Sequence, residues 1–175
     1  VELEALLISQ RSGLGAPEKE RPLRLSFLGD VREKFIAQKK TFLEVNLEKM
    51  RIRFYKEGVL ENEFPILAKG DPQNWGGSAC GINEVILKQR ISYSNTAHVY
   101  MPYALNYYGM YFIHGEPYFP WGPKLVSRYS GGCLRLRDGF ARELFAIAKR
   151  GMTVLVIDKE REDHVYKHEK EIDYF

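Results

Sequence analysis

Leu43-Glu44-Val45-Asn46-Leu47-Glu48-Lys49-Met50-Arg51-Ile52-Arg53-Phe54 alternates apolar with polar side chains. A period of two turns one side of an extended chain toward a core and the other toward water. The stretch therefore predicts two half-buried antiparallel strands joined by a short turn. Glu57-Gly58 marks the next turn, and residues 59–68 the next strand, ended by Gly70-Asp71-Pro72. Residues 73–81 are glycine-rich and predict a loop. Residues 83–89, 97–101 and 109–114 are further strands, the last apolar enough to be central.

Outward from this block the pattern becomes helical twice. Asp30 to Glu33 has the spacing of a capping box, with Asp30 as N-cap and a short helix through Lys40. Asp138 is placed to cap a second helix, with Phe140, Leu144, Ile147 and Ala148 as its apolar stripe and Gly151 as its terminating glycine. Residues 152–157 then predict a buried strand. Residues 10–21 read as a linker, a boundary falls near Thr41, and the tail from Asp158 is charged and solvated. The division is 1–40 as an extension with a short helix, 41–157 as the main domain, and 158–175 as a tail. The fold class is mainly β with α.

Bulk properties narrow the function classes. The chain has 175 residues, 45% of them hydrophobic, and a formal charge of +3. Its Lys and Arg residues are scattered, so no nucleic-acid partner is expected. No run of apolar residues is long enough to span a membrane. Residues 1–9 are too short for a complete export signal and lack a basic start. Two cysteines, Cys80 and Cys133, are too few for a disulfide framework.

Chemistry concentrates in Ser130-Gly131-Gly132-Cys133-Leu134-Arg135-Leu136, preceded by Ile113-His114-Gly115. A free thiol is mostly protonated at neutral pH, so a nucleophilic cysteine needs a base and a favourable field. His114 precedes Cys133 by 19 positions, enough chain for the two to meet. Gly131-Gly132 carries no Cβ atoms, and the Gly132 and Cys133 N–H groups are the expected oxyanion donors. Arg135 either lowers the thiol pKa, holds a substrate carboxylate, or is a structural ion-pair partner. Ser130 either serves the site or closes the turn with its hydroxyl. Cys80 reads as a structural thiol.

This pattern resembles the active-site signature of the L,D-transpeptidases, the YkuD catalytic domain: a histidine, a spacer (15 residues between His114 and Ser130), then Ser, Gly, Cys and an arginine two residues on. Phe42 to Phe64 resembles the family's opening strands, Phe64-Pro65-Ile66 its Phe-Pro-Val strand, Met101-Pro102-Tyr103 the segment before its active-site strand, and residues 138–156 its closing helix and strand. Ser78-Ala79-Cys80-Gly81 stands at its Thr-Pro-x-Gly-type turn, with Gly81 kept.

The resemblance implies a YkuD-like β-sandwich and a cofactor-free, metal-free reaction. Cys133 attacks the carbonyl of the third residue of a peptidoglycan stem peptide, and His114 is its base. The Gly115 carbonyl orients the imidazole. An amine from a neighbouring stem resolves the thioester into a 3→3 cross-link, and water instead gives L,D-carboxypeptidase activity. The family's histidine two residues before the cysteine is Gly131 here. That departure supports a rival reading as a non-catalytic peptidoglycan-binding module. A cysteine peptidase acting on protein substrates is a weaker rival. The implied location is extracytoplasmic, in the periplasm or cell wall.

Other features carry structural and functional readings side by side. Tyr103, Tyr118 and Trp121 are candidates for a substrate groove, and residues 118–121 for a lid, against ordinary packing. Asn74-Trp75-Gly76-Gly77 is either a substrate loop or a packed turn. His164 and His168 stand four apart beside Glu162 and Glu169, but a solvated helix face explains them better than a metal site.

Overall fold

The computed structural model describes residues 27–73 and 77–159. The linker at 10–21, Asn74 to Gly76, the paired histidines and nearly all of the charged tail lie outside the described residues. Among the described residues, no helix is long and apolar enough to cross a membrane.

The alternating stretch forms β1 (Phe42–Asn46) and β2 (Arg51–Lys56), and β3 (Val59–Pro65) follows. They pair antiparallel, with Leu43 opposite Phe54 and Val45 opposite Ile52. The β2–β3 turn has Glu57 at φ 50° and Gly58 at φ 79°. Two successive left-handed residues define the tight turn that matches strand twist, and glycine at the second suits it. Gly58 N–H also donates to the Lys40 carbonyl at 2.9 Å. A Cβ at Gly58 would lie 2.5 Å from the Ile36 carbonyl oxygen. Gly58→Ala is therefore expected to destabilise the fold by about 1–3 kcal/mol, read as a lower urea midpoint at unchanged slope.

β9 (Thr153–Ile157) lies parallel to β1, and β4 (Gly81–Glu84) lies antiparallel to β9. These complete a five-stranded sheet in the order β3-β2-β1-β9-β4. A second sheet, in the order β5-β6-β7-β8, comprises β5 (Leu87–Ser94), β6 (Val99–Tyr108), β7 (Tyr111–His114) and β8 (Leu134–Arg135). Leu43, Val45, Ile52, Phe54, Val154 and Val156 from the first sheet meet Leu105, Tyr107, Ile113 and Leu134 from the second in one core. Each such burial contributes roughly 1.5–3 kcal/mol relative to exposure. Mainly β with α is the observed class, in a two-sheet sandwich with two helices among the described residues.

Several sequence expectations shift. Residues 83–89 are not one strand: Val85 N–H bonds to Met152 beside β9, while Ile86 N–H bonds to Asn106 of β6. The chain changes sheets between adjacent residues. The strand expected at 97–101 runs on through Pro102 to Tyr108. β1 is buried on both faces rather than one. The cause is α1 (Phe27–Ala37), whose Leu28, Val31 and Phe35 pack with Phe42, Tyr55, Leu155 and Ile157 on the outer face. Glu44, fully buried there, is met by Arg32 at 3.1 Å and Arg53 at 3.8 Å, and Tyr55 donates its hydroxyl proton at 3.3 Å.

α1 begins before Asp30, so Asp30 is a first-turn acid rather than a cap, where it complements the helix dipole. Glu33 pairs with Arg32 at 2.8 Å instead of reaching back. α2 (Asp138–Ile147) has Arg137 at its N-cap without a side-chain cap bond. The Asp138 carboxylate instead accepts from Glu116 N–H at 2.8 Å and from Lys124 at 3.0 Å, tying the chain after β7 to the helix start. The buried stripe is Ala141, Leu144 and Ala148, with Phe140 36% exposed. Gly151 (φ 81°) lies in the following turn, beyond the C-cap at Ala148.

Candidate active site

The extended apolar chain of β7 ends at His114, and β8 begins immediately after Cys133. The two strands are parallel neighbours, with Ile113 opposite Leu134 and His114 opposite Arg135. Ile113 and Leu134 enter the core. Alternation therefore sends His114 and Arg135 to the other face, and Cys133 stands at the mouth of β8, two residues before Arg135. Residues distant in sequence are brought onto adjacent strand ends by this pairing.

His114 is 2% exposed, and its Nδ1–H donates to the Gly115 carbonyl at 2.6 Å. That bond leaves Nε2 as the acceptor. Burial, reinforced by the positive charge of Arg135, lowers the imidazole pKa to about 4, against the opposing pull of the Gly115 bond. The ring is thus neutral at pH 7 and able to take a proton. Cys133 is half-buried, and its thiol donates to the Met110 carbonyl at 3.8 Å. Burial raises its pKa, opposed by the Phe112 backbone hydrogen bond and by Arg135. Expected help from Arg135 is present but outweighed by desolvation. The resting site holds a neutral imidazole and a thiol rather than an ion pair.

The turn before Cys133 is clamped from several sides. Ser130 N–H donates to the Lys69 carbonyl at 2.9 Å. The Ser130 hydroxyl donates to the Cys133 carbonyl and accepts from Gly132 N–H at 3.1 Å. Ser130 thus closes the turn. Of the two N–H groups expected as oxyanion donors, that of Gly132 is already engaged. Gly132 has φ 130°, and a Cβ there would fall 1.9 Å from Tyr111 Cε1. Gly70 presses against the Gly132 Cα and against Gly77 and Ser78, and its N–H donates to Ser78 Oγ at 3.0 Å. By contrast, open space faces the Cβ position of Gly131.

Arg135 is 7% exposed and forms no ion pair among the described residues; its terminal nitrogen donates to Ser127 Oγ at 2.6 Å. The structural ion-pair reading is not what the structure contains. Tyr103 packs edge-on to Phe145 of α2 at 5.9 Å and, with Arg90, Ile91 and Pro102, lines a cavity of about 400 Å³. Tyr118 bridges to Tyr100, with ring centroids 5.5 Å apart. Residues 117–125 double back on themselves through Phe119 N–H to Pro123 and Leu125 N–H to Pro117. Trp121, 72% exposed, stacks on Phe119 at 4.6 Å at this tip. Cys80 packs against the core, its thiol donating to the Ser78 carbonyl at 3.5 Å.

Sequence reasoning missed Tyr111, Met110 and Ser127. Only the third dimension reveals a ring lying on glycine, a carbonyl at the sulfur, or a serine on a buried guanidinium. In the sequence Tyr111 is one aromatic among many.

A family model described as the YkuD L,D-transpeptidase catalytic domain matches residues 40–157. No curated protein matches the chain. Among solved structures, an L,D-transpeptidase (Yku) from Stackebrandtia nassauensis superposes with a TM-score of 0.57 at 19% identity, covering 77% of this chain and 68% of that one. One from Mycobacterium smegmatis gives 0.56 at 14% identity, covering 67% and 58%. A mutant of the Enterococcus faecium L,D-transpeptidase gives 0.53 at 24%, covering 67% and 49%. The chain thus spans about half the length of the last two. These likenesses concern the fold, whereas the family match runs through both halves of the site. The chain belongs to the YkuD family of L,D-transpeptidase catalytic domains.

Proposed function

We propose that this chain is a peptidoglycan L,D-transpeptidase working through a thioester on Cys133. The observation that carries the reading is the pairing of β7 with β8. It puts His114, its Nδ1 committed to Gly115, beside the strand that Cys133 opens. His114 Nε2 takes the thiol proton as sulfur bonds to the carbonyl carbon of the third stem residue. The oxyanion faces the Cys133 N–H, because Ser130 holds that of Gly132. Collapse breaks the C–N bond, and the imidazolium returns the proton to the departing D-amino acid. An acceptor amine then attacks the thioester, loses its proton to His114, and leaves the 3→3 linked product and a free thiol. No step calls on a metal or cofactor.

Hydrolysis is the second reading, favoured by one observation. Gly131 carries no side chain, and nothing stands within 4 Å of where its Cβ would be. Water has a path to the thioester on that side. In this reading residues 41–157 form the catalytic unit, acting outside the cytoplasm on wall stem peptides, with 1–40 and 158–175 as its extension and tail.

The test offers a stem tetrapeptide with and without an acceptor amine and reads product masses. Cross-linked product in the presence of acceptor is expected. Tripeptide alone under both conditions would make the enzyme a carboxypeptidase. No release of the D-amino acid would leave the binding-module reading.

A further inference from the structure

Two buried charged side chains near the sheets are treated very differently. Glu44 is met by two arginines and a tyrosine. Arg135, 7% exposed, has one serine partner among the described residues, and its Nε finds no acceptor there. A guanidinium in low dielectric with an unmet donor is costly, and nothing in the β7–β8 pairing requires it. Burial also depresses its pKa. Among the described residues no counter-charge meets it.

The space for one is at hand. Arg135 lines a cavity of about 230 Å³ together with Arg137, Lys124, Glu116, Ser127 and Pro117. Lys124 pairs with both Glu116 and Asp138, each at 3.0 Å, and this triad carries one net negative charge against the two positive charges of the arginines. Arg135 and Arg137 therefore dominate the field there. Arg137 is the N-cap of α2, whose first N–H, that of Asp138, is already taken by the Glu116 carboxylate at 3.3 Å. Leu67, Leu125 and Val126 make the remaining wall apolar. The combination suits a carboxylate on a short aliphatic stem, gripped by planar donor forks.

We propose that this cavity is a carboxylate subsite of the active site, in which Arg135 Nε and Arg137 hold a carboxylate of the same peptide whose carbonyl Cys133 attacks. The inference rests on the reading of Cys133 as nucleophile, and it deepens that reading by naming what the substrate must carry. Two carboxylates qualify: that of the departing D-residue, and one on the side chain of the third residue.

The experiment measures kcat/KM for acylation of the intact protein with three tetrapeptides: the free acid, its C-terminal amide, and the peptide amidated at the third side chain. One amide is expected to lose about 10- to 100-fold, mainly through KM, as befits a lost charge-assisted contact. Whichever arm loses identifies the carboxylate. Arg137→Gln, and Arg135→Lys, which keeps the charge without the fork, should each shrink that acid-to-amide ratio toward one. Arg137 is exposed, so its variant is expected to fold, and the comparison survives if the buried one misfolds. Equal acylation by all three peptides would overturn the subsite while leaving the nucleophile intact. So would a ratio unchanged in every variant that folds. Failure of all three to acylate Cys133 would overturn both.

Discussion

Cys133→Ala is expected to abolish acylation by stem peptides while leaving the fold in place. The thiol is the one group in the described site that can form a thioester, so no residual covalent route remains. The structural cost is small because Cys133 is half-buried, its sulfur has only backbone contacts, a weak bond to Met110 and one with Phe112, and alanine adds no volume. Stability should change by about 1 kcal/mol or less. Far-UV circular dichroism with a melting curve would verify folding, and intact mass would report acylation. An acylated Cys133→Ala protein would remove the nucleophile from this scheme.

The second large effect concerns the base. His114→Gln keeps the volume and a donor to the Gly115 carbonyl but cannot take the thiol proton at neutral pH. Acylation should slow about 100- to 10,000-fold, the usual range for a positioned general base. The wild-type pH profile should show its acid limb near pH 4, well below an ordinary histidine, because burial holds the imidazole neutral. The same depression has a stability consequence. Between about pH 6.5 and pH 4 the unfolded chain binds a proton at this residue and the native chain does not. Stability therefore falls as pH falls through that window, by on the order of 3 kcal/mol, and is fully present above it. His114→Gln lacks that slope. Comparing urea midpoints of the two proteins at pH 7 and pH 4.5 isolates it.

These effects trace to features that differ in how plainly the chain announces them. The β1–β2 pair was legible because alternation at Leu43 to Phe54 is local, as was the Glu57-Gly58 turn. The burial of Glu44 was not, since it depends on α1 returning over the outer face. The change of sheet at Val85-Ile86 leaves no break in apolar pattern, because both residues joining β4 to β5 are themselves apolar. The capping expectations at Asp30 and Asp138 failed for different reasons. The first helix starts earlier, and the second acid is drawn to Glu116 and Lys124.

At the site the contrast is sharper. His114, Gly115 and Cys133 are visible as residue types at a telling spacing, and the backbone contact of His114 with Gly115 follows once β7 ends there. That Ser130 would occupy the Gly132 N–H, or that Arg135 would be buried without a carboxylate, depends on how the turn folds against residues 69–70 and the loop around Ser127. No one-dimensional pattern encodes those contacts.

The most direct measurement is peptide mapping by mass spectrometry after rapid acid quench of the protein with a stem tetrapeptide. The peptide containing Cys133 should gain the mass of the tripeptide acyl group, with one equivalent of D-amino acid released and the adduct removed by hydroxylamine. D-amino acid release with Cys133 unmodified, or an acyl group found on Cys80 instead, would contradict a thioester at Cys133.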